Sequence, residues 1–258
     1  MRYSVICVCR MAGDSLLRTV SSVMEQDTDD LEMIIKSDGT DEEVIGKLPK
    51  DPRLCVVSEE DNGIYDAMNR AVSMAEGDYI LFLGAGDTLY DRSVLSDVLR
   101  SGRDTDIIYG DVFEETSGHK VCPAREITPF VCFRNIPCHQ SCLYRRELLE
   151  DHPFETGYRV RADYEQFLGL VLKEGATTGY IPRIIASYEG NGWSESPEGR
   201  KLSLKEHRKI TEKYFSRGQL FLYRAYMVLT LSSLRGRLEQ SPVTSALYNR
   251  IRNALRGG

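Results

Sequence analysis

The chain has 258 residues, 41% of them hydrophobic and 28% charged, a globular composition that excludes a disordered chain, a collagen and a coiled coil. Its net charge of −6 is uneven, because residues 205–258 carry 11 Lys/Arg against 3 Asp/Glu and the first 204 residues therefore have a net charge of −14. An acidic body of this kind repels phosphate, which argues against binding of nucleic acid.

The first part of the chain alternates between strands and helices. The predicted strands are 3–9, 31–36, 53–58 and 78–83, and the predicted helices are 15–26 and 62–77. The second helix has one apolar face and Gly77 as its C-terminal stop. The apolar positions on that face are Ile64, Met68, Ala71, Val72 and Ala75. This alternation predicts a mostly parallel sheet flanked by helices.

Two aspartates come directly after strands of this predicted sheet. Asp38 follows the second strand and Asp87 follows the fourth. Ligands of parallel sheets bind at the carboxyl ends of strands, so we expect both in one crevice. For Asp38 taken alone, a turn is the simpler interpretation. The chain has no GxGxxG after its first strand and no GxxxxGK[ST], which argues against a dinucleotide dehydrogenase and a P-loop NTPase.

Several segments resemble the family 2 glycosyltransferases with the GT-A fold. These are SVICVCR, SSVMEQ, EMIIKSDGTDE and SEEDNGIYDAMNRAVSMAEGDYILFLGAGD, followed by HQS at 139–141, ADY at 162–164 and GWS at 192–194. The middle segments are similar to enzymes of bacterial exopolysaccharide, colanic acid and O-antigen assembly. The resemblance implies an α/β fold: a Rossmann-like nucleotide-diphospho-sugar transferase domain with a mixed, mostly parallel sheet and a C-terminal helical extension.

The resemblance also implies an inverting transfer of one sugar from a UDP- or GDP-sugar to a hydroxyl. Asp38 is then expected to contact the base or ribose of the donor. Asp61 and Asn62 open the helix that lines the donor pocket, and Gly86 lies in the loop beside it. Arg70 is expected to reach a phosphate or another carboxylate, with a surface salt bridge as the alternative.

By the same resemblance, Asp87 takes the place of the last acidic residue of a DxD-type metal motif. Gly84 and Gly86 stand where many relatives have further acidic residues. One carboxylate can still hold Mg²⁺ or Mn²⁺ when diphosphate oxygens and waters supply the other ligands. We therefore expect a divalent cation that binds together with the donor.

The transfer requires a base for the incoming hydroxyl, and the resemblance favours Asp163. This residue begins a predicted helix with an apolar face formed by Phe167, Leu168, Val171 and Leu172. A plain helix N-cap is the alternative interpretation, since aspartate favours that position. Glu165 is the second candidate for the base.

His139 and Gln140, from the HQS segment, are expected on the acceptor side of the site. A histidine that packs in the core is the alternative for His139. Residues 188–200 are rich in Gly, Ser and Pro and predict a loop. Trp193 within it is expected to act as a lid over the donor, or else to anchor the loop in an apolar notch.

The seven cysteines are odd in number and scattered, with no CxxC pair, which indicates a reducing compartment. One cluster has residue types that bind zinc: Cys132, Cys138, His139 and Cys142. Structural zinc sites have tighter paired spacing, so packing in the core is the favoured interpretation.

Residues 201–258 are predicted to form a basic, amphipathic helical extension. Their mixture of arginine and apolar residues suits a helix in a membrane interface, or a helix packed on its own domain or on another subunit of a homo-oligomer. The longest apolar stretch there, 225–234, has ten residues, whereas a spanning helix needs about 20. The N-terminus has no signal-peptide pattern. We therefore expect a cytoplasmic protein, peripheral on the inner face of the membrane.

The domains are predicted as a transferase domain, 1–200, with a donor half 1–110 and an acceptor and catalytic half 111–200, and the extension 201–258. No QxxRW-like sequence follows residue 190, which favours a non-processive enzyme that acts on a lipid-linked or oligosaccharide acceptor in surface polysaccharide biosynthesis. The alternative is a non-catalytic nucleotide-sugar-binding or scaffold subunit of an assembly complex. A nucleotidyltransferase is disfavoured, because residues 9–13 make a poor phosphate loop.

Overall fold

A computed structural model gives the fold and describes residues 2–39, 42–190 and 196–230. The chain divides into two compact units, residues 1–210 and 211–258. The strands are β1 (Tyr3–Cys9), β2 (Leu31–Ser37), β3 (Leu54–Ser58), β4 (Tyr79–Gly84), β5 (Thr88–Leu89), β6 (Ile107–Glu114), β7 (His119–Val121), β8 (Cys142–Arg145) and β9 (Thr178–Tyr188). The helices are α1 (Ser15–Met24), α2 (Glu42–Ile45), α3 (Ile64–Val72), α4 (Val94–Arg100), α5 (Pro129–Arg134), α6 (Arg146–Asp151), α7 (Ala162–Leu172), α8 (Pro197–Tyr214) and α9 (Arg217–Leu229), with a 3₁₀ turn at His139–Ser141.

One half of the sheet is parallel, as the alternating sequence predicts. Its strands lie in the order β3-β2-β1-β4, and Tyr3 of the central strand β1 is in register with Leu31 and Tyr79 on its two sides. Every residue of β1 is buried. A strand of this kind is apolar on both faces because helices cover a parallel sheet on both sides.

The other half of the sheet is mixed. Strand β8 is antiparallel to both β4 and β6, β6 is parallel to β9, and β5 pairs antiparallel with β9. A register shift between β6 and β9 falls around Gly110. A Cβ on Gly110 would lie 2.5 Å from the carbonyl oxygen of Arg183, so only glycine allows the two backbones to approach this closely.

The helix predicted at 62–77 is shorter in the structure, where α3 covers Ile64–Val72. Gly77 is therefore not its C-terminal stop, and that prediction is wrong. Gly77 serves a close backbone contact instead, because a Cβ there would lie 2.6 Å from the backbone nitrogen of Ser4. Ile64 is 52% exposed rather than packed with the other apolar residues of the helix.

The loop predicted at 188–200 is shorter as well, since α8 already begins at Pro197. Proline suits the first turn of a helix, where its missing N–H has no helical partner to lose. Trp193 lies outside the described residues.

Of the cysteine cluster, Cys132 and Cys142 are buried in the interior, and no group of three His, Cys, Asp or Glu in the described ranges could hold a metal ion.

The helix α9 belongs to the second unit and starts with a capping box. The Ser216 hydroxyl accepts a hydrogen bond from the Gln219 backbone, and the Gln219 side chain accepts one from the Ser216 backbone. Its large exposed apolar side chains are Phe221, Leu222, Tyr226, Val228 and Leu229. Among the helices of residues 2–39, 42–190 and 196–230, none is both long and apolar enough to cross a membrane. Residues 231–258 of the predicted extension lie outside the described part.

Candidate active site

A cleft of about 650 Å³ opens where β1, β2 and β3 end and α3 begins. Its volume lies within the range of small-molecule sites, about 300–1,000 Å³. The cleft is lined by Arg10, Asp38, Glu60, Asp61, Asn62, Gly63, Ile64, Tyr65, Asp66, Thr156, Tyr158 and Arg159. It therefore brings together three of the predicted donor residues, Asp38, Asp61 and Asn62.

Asp38 is paired with Arg10, which follows β1. Arg10 Nε lies 2.9 Å from Asp38 Oδ2, and the Asp38 side chain is only 13% exposed whereas that of Arg10 is 76% exposed. The carboxylate is thus held in the wall of the cleft while the guanidinium reaches toward solvent. A guanidinium presented in this way can bind a phosphate through two parallel hydrogen bonds.

Asp61 is supported from behind by a buried lysine of β2. The Lys36 side chain has no exposed surface, and its Nζ lies 3.6 Å from Asp61 Oδ2. The same ammonium donates to the backbone carbonyls of Ser37, at 3.1 Å, and Glu59. A buried ammonium must be paired because its desolvation is costly. Lys36 therefore fixes the turn that presents Asp61 to the cleft.

Asn62 and Arg70 meet at a third carboxylate, Asp66. The Asn62 backbone N–H donates to Asp66 Oδ2 at 2.9 Å, and Arg70 Nη2 lies 2.9 Å from the same oxygen. These contacts, the Asn62 hydrogen bond foremost, hold the pKa of Asp66 below its usual value. Arg70 also donates to the carbonyl of Glu60. Arg70 thus contacts carboxylates, which fits both the predicted contact with a carboxylate and the alternative of a surface salt bridge. It is not among the lining residues of the cleft.

Asp87 closes the turn after β4 and folds back over it. Its Oδ2 accepts hydrogen bonds from the Gly84 backbone N–H at 2.9 Å and from Gln140 Nε2 at 3.1 Å. Burial nevertheless raises the pKa of Asp87 above the usual value for an aspartate. Gln140, expected on the acceptor side, is here a direct partner of the predicted metal residue.

The structure explains why two positions of this turn hold glycine rather than an acidic residue. A Cβ on Gly84 would lie 2.8 Å from Asp87 Oδ2, so any side chain there would displace the carboxylate. Gly86 has a φ of +102°, which side chains rarely adopt, and its N–H donates to Thr19 Oγ1 at 2.8 Å. The turn is thus built around a single, desolvated carboxylate. Such a group fits a cation whose other ligands come from a diphosphate and water.

Asp163 is the second residue of α7 and lies between two potential partners. Its Oδ1 is 3.3 Å from the Tyr65 hydroxyl, and its Oδ2 is 3.7 Å from His139 Nδ1. The N-cap of α7 is Arg161, which makes no side-chain capping bond. The N-cap interpretation of Asp163 is therefore wrong. Glu165, the second candidate for the base, is buried.

The turn that leads into α7 is held by a carboxylate of α8. Glu206 accepts hydrogen bonds from three consecutive backbone N–H groups, those of Arg159, Val160 and Arg161, at 2.9–3.0 Å. Glu206 is itself buried. Three donors directed at one carboxylate make a strong, charge-assisted arrangement. Glu206 thereby fixes the segment that carries Arg159 to the cleft and Asp163 to its partners.

A second groove, of about 530 Å³, lies on the other side of Asp163. Its lining residues are Gly110, Val112, Val121, Cys122, Pro123, Ala124, Val131, Arg134, Asn135, Ile136, Pro137, Cys138, His139, Ser141, Arg161, Asp163 and Tyr188. A small cavity of about 40 Å³ shares Ile64 and Tyr65 with the first cleft and His139 and Asp163 with the groove. Asp163 and His139 therefore stand where the two larger spaces approach each other.

Four residues of this site were missed by sequence reasoning. Arg10 and Lys36 left a signal, since each is a charged residue at or beyond the end of an otherwise apolar strand. Tyr65 lay inside a recognised segment without a role of its own. Glu206 had no local signal, because its partners are 45–47 residues away in the chain.

Comparison with solved structures identifies the fold. The Staphylococcus aureus protein TarS (residues 1–349) in complex with UDP-GlcNAc superposes with a TM-score of 0.64 and 15% identity, over 97% of this chain and 70% of that one. The mannosyltransferase PcManGT of Pyrobaculum calidifontis, in complex with GDP-Man and Mn²⁺, gives a TM-score of 0.66 and 18% identity over 98% and 80%. The fold is the GT-A fold of glycosyltransferases, as the resemblance implied.

The sequence comparisons then give the family. Residues 4–152 match the family described as Glycosyl transferase family 2. Proteins of Mycobacterium tuberculosis and Mycobacterium bovis, each named as a PGL/p-HBAD biosynthesis glycosyltransferase, are 31% identical over 199 residues, 74% of this chain and 77% of theirs. The chain belongs to glycosyl transferase family 2, and it is a glycosyltransferase.

Proposed function

We propose that the chain moves one sugar from a nucleoside-diphosphate sugar to a hydroxyl of a glycan acceptor, with inversion at the anomeric carbon. The observation that carries this proposal is the position of Asp163. It contacts Tyr65, which lines the 650 Å³ cleft, and it lines the 530 Å³ groove itself. A base for the transfer must stand where donor and acceptor spaces approach each other.

The reaction is a single displacement. The acceptor oxygen forms a bond to the anomeric carbon while the bond from that carbon to the diphosphate oxygen breaks, and its electron pair leaves with the diphosphate. Asp163 takes the proton of the attacking hydroxyl. A positioned base contributes about 10²–10⁴-fold to such a step.

The cleft is the proposed donor site. Asp38 binds the base or ribose of a UDP- or GDP-sugar, and Asp61 and Asn62 line the same space. Arg10, paired with Asp38 and largely exposed, is suited to the negative charge of the diphosphate. Cations in this cleft offset a lining that is otherwise rich in carboxylates.

Asp87 is the residue that would hold Mg²⁺ or Mn²⁺ together with the donor, and Gly86 gives its turn the required shape. When bound, the cation would neutralise charge on the departing diphosphate. Gln140 keeps the carboxylate in place through its hydrogen bond at 3.1 Å. The neighbour crystallised with GDP-Man and Mn²⁺ has the same fold, which supports a cation of this type.

The groove is the proposed acceptor site. It combines apolar residues such as Val112 and Ile136 with the guanidinium groups of Arg134 and Arg161, and His139 is also among its lining residues. This mixture suits a sugar attached through an anionic group to a lipid, such as a polyprenyl-diphosphate-linked glycan. The lid role of Trp193 stays a prediction.

We further propose that the enzyme is non-processive and acts in surface polysaccharide biosynthesis. It would lie peripherally on the inner face of the membrane. Support comes from α9, whose exposed apolar side chains share the helix with Arg217 and Arg224, as in helices that lie in a membrane interface. The mycobacterial relatives are named for PGL/p-HBAD biosynthesis. A division of the chain into 1–200 and 201–258 also stays a prediction.

The test is the melting temperature of the protein with UDP, GDP, CMP or dTDP, each with and without Mn²⁺. We expect one nucleotide to stabilise the protein, and more so with Mn²⁺, because a ligand that binds only the folded state raises its stability. Asp87→Asn should lose the increment due to Mn²⁺. The matched control Asp29→Asn, at a fully exposed carboxylate, should keep it. No response to any nucleotide would contradict the proposal and favour the non-catalytic scaffold.

A further inference from the structure

The hydroxyl of Tyr65 faces two hydrogen-bond acceptors, and its single proton cannot be donated fully to both at the same time. Its oxygen lies 2.9 Å from the carbonyl oxygen of Val160 and 3.3 Å from Asp163 Oδ1. A phenol has one proton to donate and lone pairs with which it can accept. Tyr65 is only 8% exposed, so the hydrogen bonds of this hydroxyl have to be made within the protein.

The ring of Tyr65 is held independently of its hydroxyl. It packs on Phe154 with ring centroids 5.6 Å apart. The backbone of Phe154 is bracketed by Asn69, which accepts from its N–H at 2.8 Å and donates to its carbonyl at 2.9 Å. Both Tyr65 and Asn69 belong to α3. The phenol oxygen is therefore delivered to Asp163 by a rigid element rather than by a loop.

Tyr65 keeps its proton. Burial, and after it the negative charge of Asp163, raise the pKa of Tyr65 well above the usual tyrosine value. The phenol is thus a hydrogen-bonding group for Asp163 and does not itself exchange protons with a substrate.

We propose that Tyr65 is a positioning residue whose hydroxyl reorients as Asp163 gains and loses its proton. While Asp163 is a carboxylate, the phenol donates to Oδ1. Once Asp163 has taken the proton of the acceptor, its new O–H donates to the phenol oxygen, and the phenol proton turns to the carbonyl of Val160. The proton then lies on Oδ1, the oxygen that faces the phenol, and the movements required are rotations of the carboxyl O–H and of the phenol O–H. The inference rests on the proposed role of Asp163 as the base.

The test is Tyr65→Phe, which removes the hydroxyl and keeps the ring on Phe154. The matched control is Tyr180→Phe, because Tyr180 also donates to a carboxylate, Asp111 Oδ1 at 2.9 Å, away from the proposed base. The reporter is the NMR resonance of the His139 imidazole at one fixed pH, because its Nδ1 lies 3.7 Å from Asp163. The chain has four histidines, and His139→Gln assigns the resonance.

We expect the His139 resonance to move in Tyr65→Phe, because the carboxylate beside it loses the phenol as a hydrogen-bond donor. The resonance should stay in place in Tyr180→Phe, and Tyr65→Phe should move it no further in a protein that already carries Asp163→Asn. Where sugar-nucleotide turnover is measured, kcat should fall about tenfold, as for one lost hydrogen bond to a charged group, with the donor KM changed less than about twofold.

The same His139 resonance in Tyr65→Phe and in the wild-type protein would overturn the inference. So would an equal shift in Tyr180→Phe, which would indicate a general effect of losing a buried phenol. A shift confined to Tyr65→Phe in a protein that turns over no sugar nucleotide would support the Tyr65–Asp163 coupling and contradict the proposed function alone.

Discussion

The proposed donor side and the proposed catalytic side of the site hold their carboxylates in different ways. On the donor side, Asp38 is paired with Arg10 and Asp66 with Arg70, each at 2.9 Å. On the catalytic side, Asp87 is held by neutral donors, the Gly84 N–H and the Gln140 amide. Asp163 has the Tyr65 phenol at 3.3 Å, and the Nδ1 of His139 lies 3.7 Å from it.

In the proposed function, this difference separates binding of the donor from the transfer step. A carboxylate paired with arginine stays ionised and fixed, which suits it to hydrogen-bond a base or a ribose. A carboxylate held by neutral groups keeps its capacity to accept a proton or to bind a cation. The pKa of Asp66 is lowered, first by the Asn62 backbone N–H and then by Arg70, whereas burial raises the pKa of Asp87.

The largest expected effect is on turnover in Asp163→Asn. Loss of the base should lower kcat about 10²–10⁴-fold while nucleotide affinity, measured by calorimetry, stays near that of the wild type. Glu165→Gln, two residues along the same helix, is the control and should retain most activity if it folds. A greater loss in Glu165→Gln than in Asp163→Asn would transfer the role of base to Glu165.

Glu206→Ala should release the turn that carries Arg159 to the cleft and leads to Asp163. It leaves three backbone N–H groups without their carboxylate, and we expect a loss of about 3 kcal/mol in the free energy of unfolding measured with urea. Turnover should fall further than the loss of folded protein explains, because the start of α7 is released. Glu198→Ala, at an exposed position of the same helix, should change stability little. Equal effects of the two variants would contradict a specific role of Glu206.

Asp38→Asn should weaken the donor side alone. Without its charge the side chain no longer holds Arg10, and we expect nucleotide affinity to fall about tenfold, or about 1.4 kcal/mol, with little change in kcat. Asp51→Asn breaks a comparable ion pair with Arg53, at 2.8 Å, outside the cleft. Calorimetry should find unchanged nucleotide affinity in that control. If kcat fell as much as nucleotide affinity in Asp38→Asn, the result would contradict a role of Asp38 in donor binding alone.

The smallest effect concerns the pH dependence of Asp87 in the free protein. Because burial raises its pKa in the folded state, this carboxyl favours folding below its unfolded pKa, and that contribution is lost as the pH rises through the folded value. At pH 7, without nucleotide or metal, Asp87→Asn should therefore melt slightly above the wild-type protein. The difference should vanish below about pH 4, the ordinary range of an aspartate. A variant that melts lower at pH 7 would contradict this account.

The sequence by itself determined the parallel half of the sheet and the position of Asp38 and Asp61 at the edge that we propose as the donor site. The strands β1 to β4 are largely apolar and are separated by helices, and Asp38 and Asp61 follow β2 and β3 within a few residues. The apolar pattern and the order of strands and helices along the chain are enough to predict this arrangement, because the carboxyl ends of parallel strands share one edge of the sheet. The family segments also identified Asp163, Asp87 and His139 as candidates, without their partners.

Only the tertiary structure decided those partners and some element boundaries. Gln140 reaches Asp87 across 53 residues of sequence, and Glu206 reaches the turn before Asp163 across 45–47. Gly77 resembled a helix stop, yet the approach of Ser4 explains it. A hydrophobic pattern reports which side chains are buried and which neighbours along the chain can bond. It holds no information on which distant polar groups meet, since that follows from the path of the chain through the mixed half of the sheet.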